Sequence, residues 1–181
     1  MRRTAMVLVM LFMAPSLLGV VAETPDTIVL DGDMSDWPQD SLQTIDSNAV
    51  TFRMTWDESH LFIGWSGTDW ASESDGADLF IYLNTTEGGT PLSKDWNLAQ
   101  TLPFAADHAF VLEDSAYSSL QMHDGSAWVE NPESATAWVG YSENQNTEVG
   151  IPWSAIGDPE HVGVIVWAQW QDAGNVWTSF P

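Results

Sequence analysis

Val50-Thr-Phe-Arg-Met-Thr-Trp56 alternates its side chains, with Val50, Phe52, Met54 and Trp56 on one face and Thr51, Arg53 and Thr55 on the other. A period of two over seven residues is the pattern of a half-buried β-strand. Asp57-Glu-Ser59 then leads into His60-Leu-Phe-Ile-Gly-Trp65, so the two runs predict an antiparallel hairpin. Outward from this hairpin, further strands are expected at Thr27–Leu30, Leu79–Leu83, Ala109–Leu112, Ala135–Tyr141, Thr147–Ile151 and Val162–Gln169. Leu79–Leu83 and Val162–Ala168 are apolar on both faces, which suits strands covered on both sides. No long segment holds a 3.6-residue apolar period, and Pro152-Trp-Ser-Ala-Ile-Gly157 allows one helical turn at most. Many short strands separated by Gly, Asp and Asn turns predict an all-β fold. The architecture expected is a two-sheet antiparallel β-sandwich of the jelly-roll or immunoglobulin-like kind. Asn84 to about Asp107 lacks strand periodicity and contains Gly88-Gly89, Pro91 and Trp96. A stretch of that length is functional or hides a short element.

The N-terminus sets the expected compartment. Arg2 and Arg3 precede an uncharged run from Thr4 to Ala22 that contains Met6-Val-Leu-Val-Met-Leu-Phe12. A basic start, a short apolar stretch and small residues at Val20-Val-Ala22 describe a secretory signal peptide over residues 1–22, cleaved after Ala22. Pro15 and Gly19 interrupt the run, which barely reaches the ~18–20 apolar residues of a membrane span. Residues 23–181 then form one β-sandwich domain, exported or at the cell surface, with no membrane insertion after cleavage. The chain ends at Pro181, directly after Asn-Val-Trp-Thr-Ser-Phe, which suggests an N-terminal module followed by further domains of the same polypeptide. There is no cysteine, so neither a disulfide nor a cysteine-linked lipid is available.

Beyond residue 22 only Arg53 and Lys94 oppose 26 carboxylates, a formal charge of −24 from two cations against 26 anions. Such a surface repels nucleic acid and anionic membranes. It suits divalent cations, or salty water whose ions screen the self-repulsion. A solvated acidic surface that aids solubility accounts for most of these side chains.

Three segments carry a resemblance. The first is Ile28-Val-Leu-Asp-Gly-Asp-Met-Ser-Asp-Trp-Pro38, and the second is Met54-Thr-Trp-Asp-Glu-Ser-His-Leu-Phe-Ile-Gly-Trp65. The third is Thr147-Glu-Val-Gly-Ile-Pro-Trp-Ser-Ala-Ile-Gly157. In this order, over about residues 27 to 170, they resemble the family 9 carbohydrate-binding modules and the wider DOMON-like superfamily of sandwich domains. The resemblance implies a secreted, non-catalytic module that holds a sugar between two tryptophans, beside polar side chains, with structural calcium elsewhere. Trp70 and Trp170 occupy places comparable to those two tryptophans, and Trp96 in the long loop is a third aromatic candidate.

The residues themselves weigh these candidates. An indole stacks well on a sugar ring, yet most tryptophans in proteins are buried. Of the 11 here, Trp56 and Trp65 lie within strands and are expected in the core. Trp37 is expected to plug one end of the sandwich. Asp31, Asp33 and Asp36 could supply oxygens to calcium, although Leu42 stands where an EF-hand loop needs its glutamate. Asp residues at such spacing also form turns by binding their own backbone. Asp69, Asp75 and Asp78 form a second acidic group. Some DOMON-like relatives bind haem, which draws attention to Met54, Met122 and His123. Met122 and His123 are neighbours, so on a strand they point to opposite faces and cannot grip one iron together. No catalytic signature is present, neither G-x-S-x-G nor a cysteine nucleophile. Polysaccharide or oligosaccharide is thus the expected partner. An adhesive or structural module and a haem-binding electron-transfer domain are the alternatives.

Overall fold

The computed structural model describes residues 28–45, 51–66, 77–94, 99–113, 117–138, 146–170 and 175–180. Among them are β1 (Leu42–Ile45), β2 (Thr51–Trp56), β3 (His60–Ser66), β4 (Ala77–Asn84), β5 (Thr90–Leu92), β6 (Thr101–Ala106) and β7 (His108–Leu112). They continue with β8 (Ser118–His123), β9 (Trp128–Glu130), β10 (Thr136–Trp138), β11 (Thr147–Pro152), β12 (Gly163–Trp170) and β13 (Val176–Phe180). One sheet runs β1-β2-β3-β11-β10 and the other β13-β12-β4-β7-β8-β9, while β5 and β6 pair only with each other. Every strand pair is antiparallel. The protein is an all-β two-sheet sandwich.

The hairpin that opened the sequence reading is β2–β3, with Thr51 opposite Ser66 and Trp56 opposite Leu61. Its turn is tied by Asp57, whose Oδ1 accepts from the backbone N–H of Ser59 (2.6 Å) and of His60 (2.7 Å). Side chains of alternate residues meet between the sheets: Phe52, Met54, Leu61, Ile63, Trp65, Val149 and Ile151 face Leu79, Ile81, Leu83, Phe110, Val166 and Phe180. Phe52 stacks on Phe180 across the gap at 5.8 Å. Full burial of each such large side chain contributes about 1.5–3 kcal/mol.

β4 and β12 are buried on both faces, as their continuous apolar sequences require. The extra cover on β4 explains why. Phe80, Tyr82, Ala109, Val111 and Trp167 form a second apolar layer on the outer face of the six-stranded sheet, under Leu102 and Ala106 of β6. The stretch between Asn84 and Asp107 thus hides two strands. On the outer face of the five-stranded sheet, Met34 and Trp37 pack with Phe62, flanked by Ile28 and Leu30.

Two expectations change here. Residues 28–30 form no strand; they lead into a short 3₁₀ turn at Met34–Asp36 and lie across the sheet as a strap. Trp37 belongs to that strap, so it covers the outside of a sheet instead of plugging the end of the sandwich. The single helical turn expected after Pro152 is a 3₁₀ turn at Trp153–Ile156, ended by Gly157 at φ 82°. A positive φ of that kind suits glycine. Residues 1–27 fall outside the described residues, and with them the proposed signal segment. No helix among the described residues is long and apolar enough to cross a membrane.

Candidate functional site

Trp170 is the last residue of β12 and is 39% exposed. Trp37, Trp65, Trp153 and Trp167 are all at most 6% exposed, as their packing against core residues demands. Trp56 is half-buried against the core, and Trp128 packs edge-on to Tyr82 at 5.8 Å. The place of Trp170 as the last residue of β12 sets it apart. Val164, Val166 and Ala168 turn inward and Trp167 turns into the outer apolar layer, so the strand reaches the sheet margin with Trp170 still to place. Ala77 is the register partner of Trp170, so β4 begins at this margin. One residue inward, Gln169 pairs with Asp78, and both are buried. Trp70 and Trp96, like Asp69 and Asp75, lie outside the described residues.

The three aspartates of the strap serve the backbone. Asp31 Oδ1 accepts from Asp33 N (3.0 Å), and Asp33 Oδ1 accepts from Ser35 N (2.9 Å), capping the 3₁₀ turn. Asp36 Oδ2 accepts from Val29 N at 2.7 Å. Asp31 and Asp33 are engaged by N–H groups two residues on, the use that Asp finds most readily in a turn, and Asp36 ties the turn back to Val29. No group of three or more His, Asp or Glu among the described residues is arranged to hold a metal ion. Met54 is fully buried in the core, and His123 packs edge-on against Trp128 at 5.4 Å.

Two buried carboxylates that the sequence reading passed over organise the outer faces. Glu148, in mid-β11, is completely enclosed. Its Oε2 accepts from the N–H of Gly32 and of Asp31, and its Oε1 accepts from Trp37 Nε1 at 2.7 Å. Burial pushes its pKa up, against the hydrogen bonds from Gly32, Trp37 and Asp31, with the charge of Asp36 adding to the rise. Asp107, between β6 and β7, accepts from the N–H and hydroxyl of both Thr85 and Thr86, at 2.6–3.1 Å. His108 Nδ1 lies 3.5 Å away. Burial opposes its ionisation, but the bonds from His108, Thr85 and Thr86 outweigh that and hold the carboxyl well below the usual range.

A signal for Glu148 was available. Gly64 lies opposite both Arg53 and Glu148 in register, and a glycine inside a central strand marks a close approach. A Cβ on Gly64 would meet Met34 Sδ at 2.6 Å and the Trp37 ring at 3.1 Å. Comparisons with protein-family models, with curated proteins and with solved structures gave no match.

Proposed function

We propose that the chain is an exported, non-catalytic module that binds carbohydrate at the margin of the six-stranded sheet, with Trp170 as a stacking platform. The observation that carries this reading is the 39% exposure of Trp170, against at most 6% for four other tryptophans. An indole face at a sheet margin can receive the C–H face of a sugar ring, while nearby polar groups fix its orientation. Gln169 and Asp78 are the polar side chains nearest in register. A neutral, hydroxyl-rich ligand also suits a chain of formal charge −22, which repels polyanions. Trp70 joins this reading through its chain position ahead of Ala77, and Trp96 through the long β5–β6 connection.

Affinity-gel electrophoresis against a panel of soluble polysaccharides, with and without chelator, tests the proposal. The wild type is expected to be retarded by at least one polymer and Trp170→Ala by none. Equal retardation of the two proteins would remove Trp170 from the site, and no retardation of either would remove the carbohydrate reading.

A further inference from the structure

The strap over the five-stranded sheet is held by a small number of specific contacts. Across β2, β3 and β11 the register aligns Arg53, Gly64 and Glu148 in one row on the outer face. Gly64 forms the floor, since any side chain there would strike Met34 and Trp37. The Trp37 ring lies over that floor, with its Nε1–H bonded to Glu148 on one side and the Arg53 guanidinium 5.9 Å from its centroid on the other. Arg53 also donates to the backbone carbonyls of Met34 (3.2 Å) and Pro38 (3.1 Å). Beyond these, Asn146 donates from its side chain to the Gly32 carbonyl at 2.9 Å. No residue of the strap from Ile28 to Ser41 belongs to a strand. Its backbone therefore lacks the ladder bonds that make sheet strands open together.

We infer that residues 28–41 form a strap that undocks from the sandwich as a unit, with the carboxylate of Glu148 as its catch and the Gly64 floor as its seat. Among the described residues, the donors to the Glu148 carboxylate all come from the strap: two backbone N–H groups and one indole N–H. Undocking breaks all three together and leaves the inter-sheet core intact, since Phe52, Leu61, Ile63 and Trp65 face the other way. Undocking also returns Glu148 to water.

Native-state hydrogen exchange of the chain, corrected for intrinsic rates and followed by mass spectrometry, tests the inference. Amides of residues 28–41 are expected to open more often than those of β4 and β12. Glu148→Gln puts an amide NH2 against strap N–H donors in place of one acceptor oxygen, and is expected to open the strap about tenfold more often while β4 and β12 stay as protected as in the wild type. Trp37→Phe, which keeps a ring in the seat and removes only the indole donor, guards against a variant that fails to fold; it opens the strap without changing β4. Strap amides that exchange only together with β4 and β12 would overturn the inference. So would strap protection that is unchanged in both Glu148→Gln and Trp37→Phe.

Discussion

The two sheets of this sandwich each carry a second cover on the outside, and each cover is fixed by one buried carboxylate whose ionisation is shifted in the opposite direction. Glu148 fixes the strap with three neutral donors and is pushed up by burial. Asp107 fixes the β4–β5 turn beside the β5–β6 cover with four donors from Thr85 and Thr86, and with His108 alongside, and is held down. Neighbouring groups add to the difference, because the charge of Asp36 raises Glu148 further whereas the His108 ring is one more hydrogen-bond partner of Asp107. Enclosure by itself therefore does not decide whether a carboxylate resists or favours its charge. The number of hydrogen-bond donors and the neighbouring groups do.

Substitutions can break this comparison. Trp37→Ala removes both the ring seated over Gly64 and a donor to Glu148, and is expected to cost about 3–5 kcal/mol in urea unfolding. Asp107→Asn leaves threonine donors facing an amide and is expected to cost about 2–3 kcal/mol by the same measurement. The two carboxylates also predict opposite pH slopes. Asp107 has a lowered pKa, so its contribution is present above the ordinary carboxylate range and is lost as the pH falls through it. Glu148 has a raised pKa, so its contribution shrinks as the pH rises between the ordinary range and its raised value. Stability against pH should lose its acid limb partly in Asp107→Asn and its higher-pH decline partly in Glu148→Gln. Gly64→Ala crowds Met34 and Trp37 and is expected to cost about 1–3 kcal/mol, with the loss confined to the strap in hydrogen exchange. Added salt should raise the melting temperature of the wild type modestly, since a charge of −22 repels itself most when unscreened.

Much of the frame could be read in the sequence because it is written in local chemistry. The alternation of residues 50–56 and the Asp57 turn specify β2–β3, and the unbroken apolar runs at Leu79–Leu83 and Val162–Ala168 specify doubly covered strands. What could not be read depends on contacts far apart in the chain. Ile28-Val-Leu30 has the same alternation as a strand, and only its docking through Glu148, more than a hundred residues later, makes it a strap. β6 contains Pro103 and pairs only with β5, so its periodicity is broken where the register shifts between Thr90 and Leu92. Glu148 looks like any strand glutamate until Gly64 is placed beside it. The same limit applies to the tryptophans: sequence shows 11 indoles, and burial separates Trp37 from Trp170.

That separation can be tested with one pair of variants carried through one pair of assays. Trp37→Ala and Trp170→Ala are compared with the wild type for urea stability and for retardation in a polysaccharide gel. The strap residue should lose stability yet keep its retardation under folded conditions. The margin residue should lose retardation while its stability stays within about 0.5 kcal/mol of wild type, as expected for a surface position. A Trp170→Ala protein that is retarded like the wild type, or that unfolds as readily as Trp37→Ala, would contradict the account.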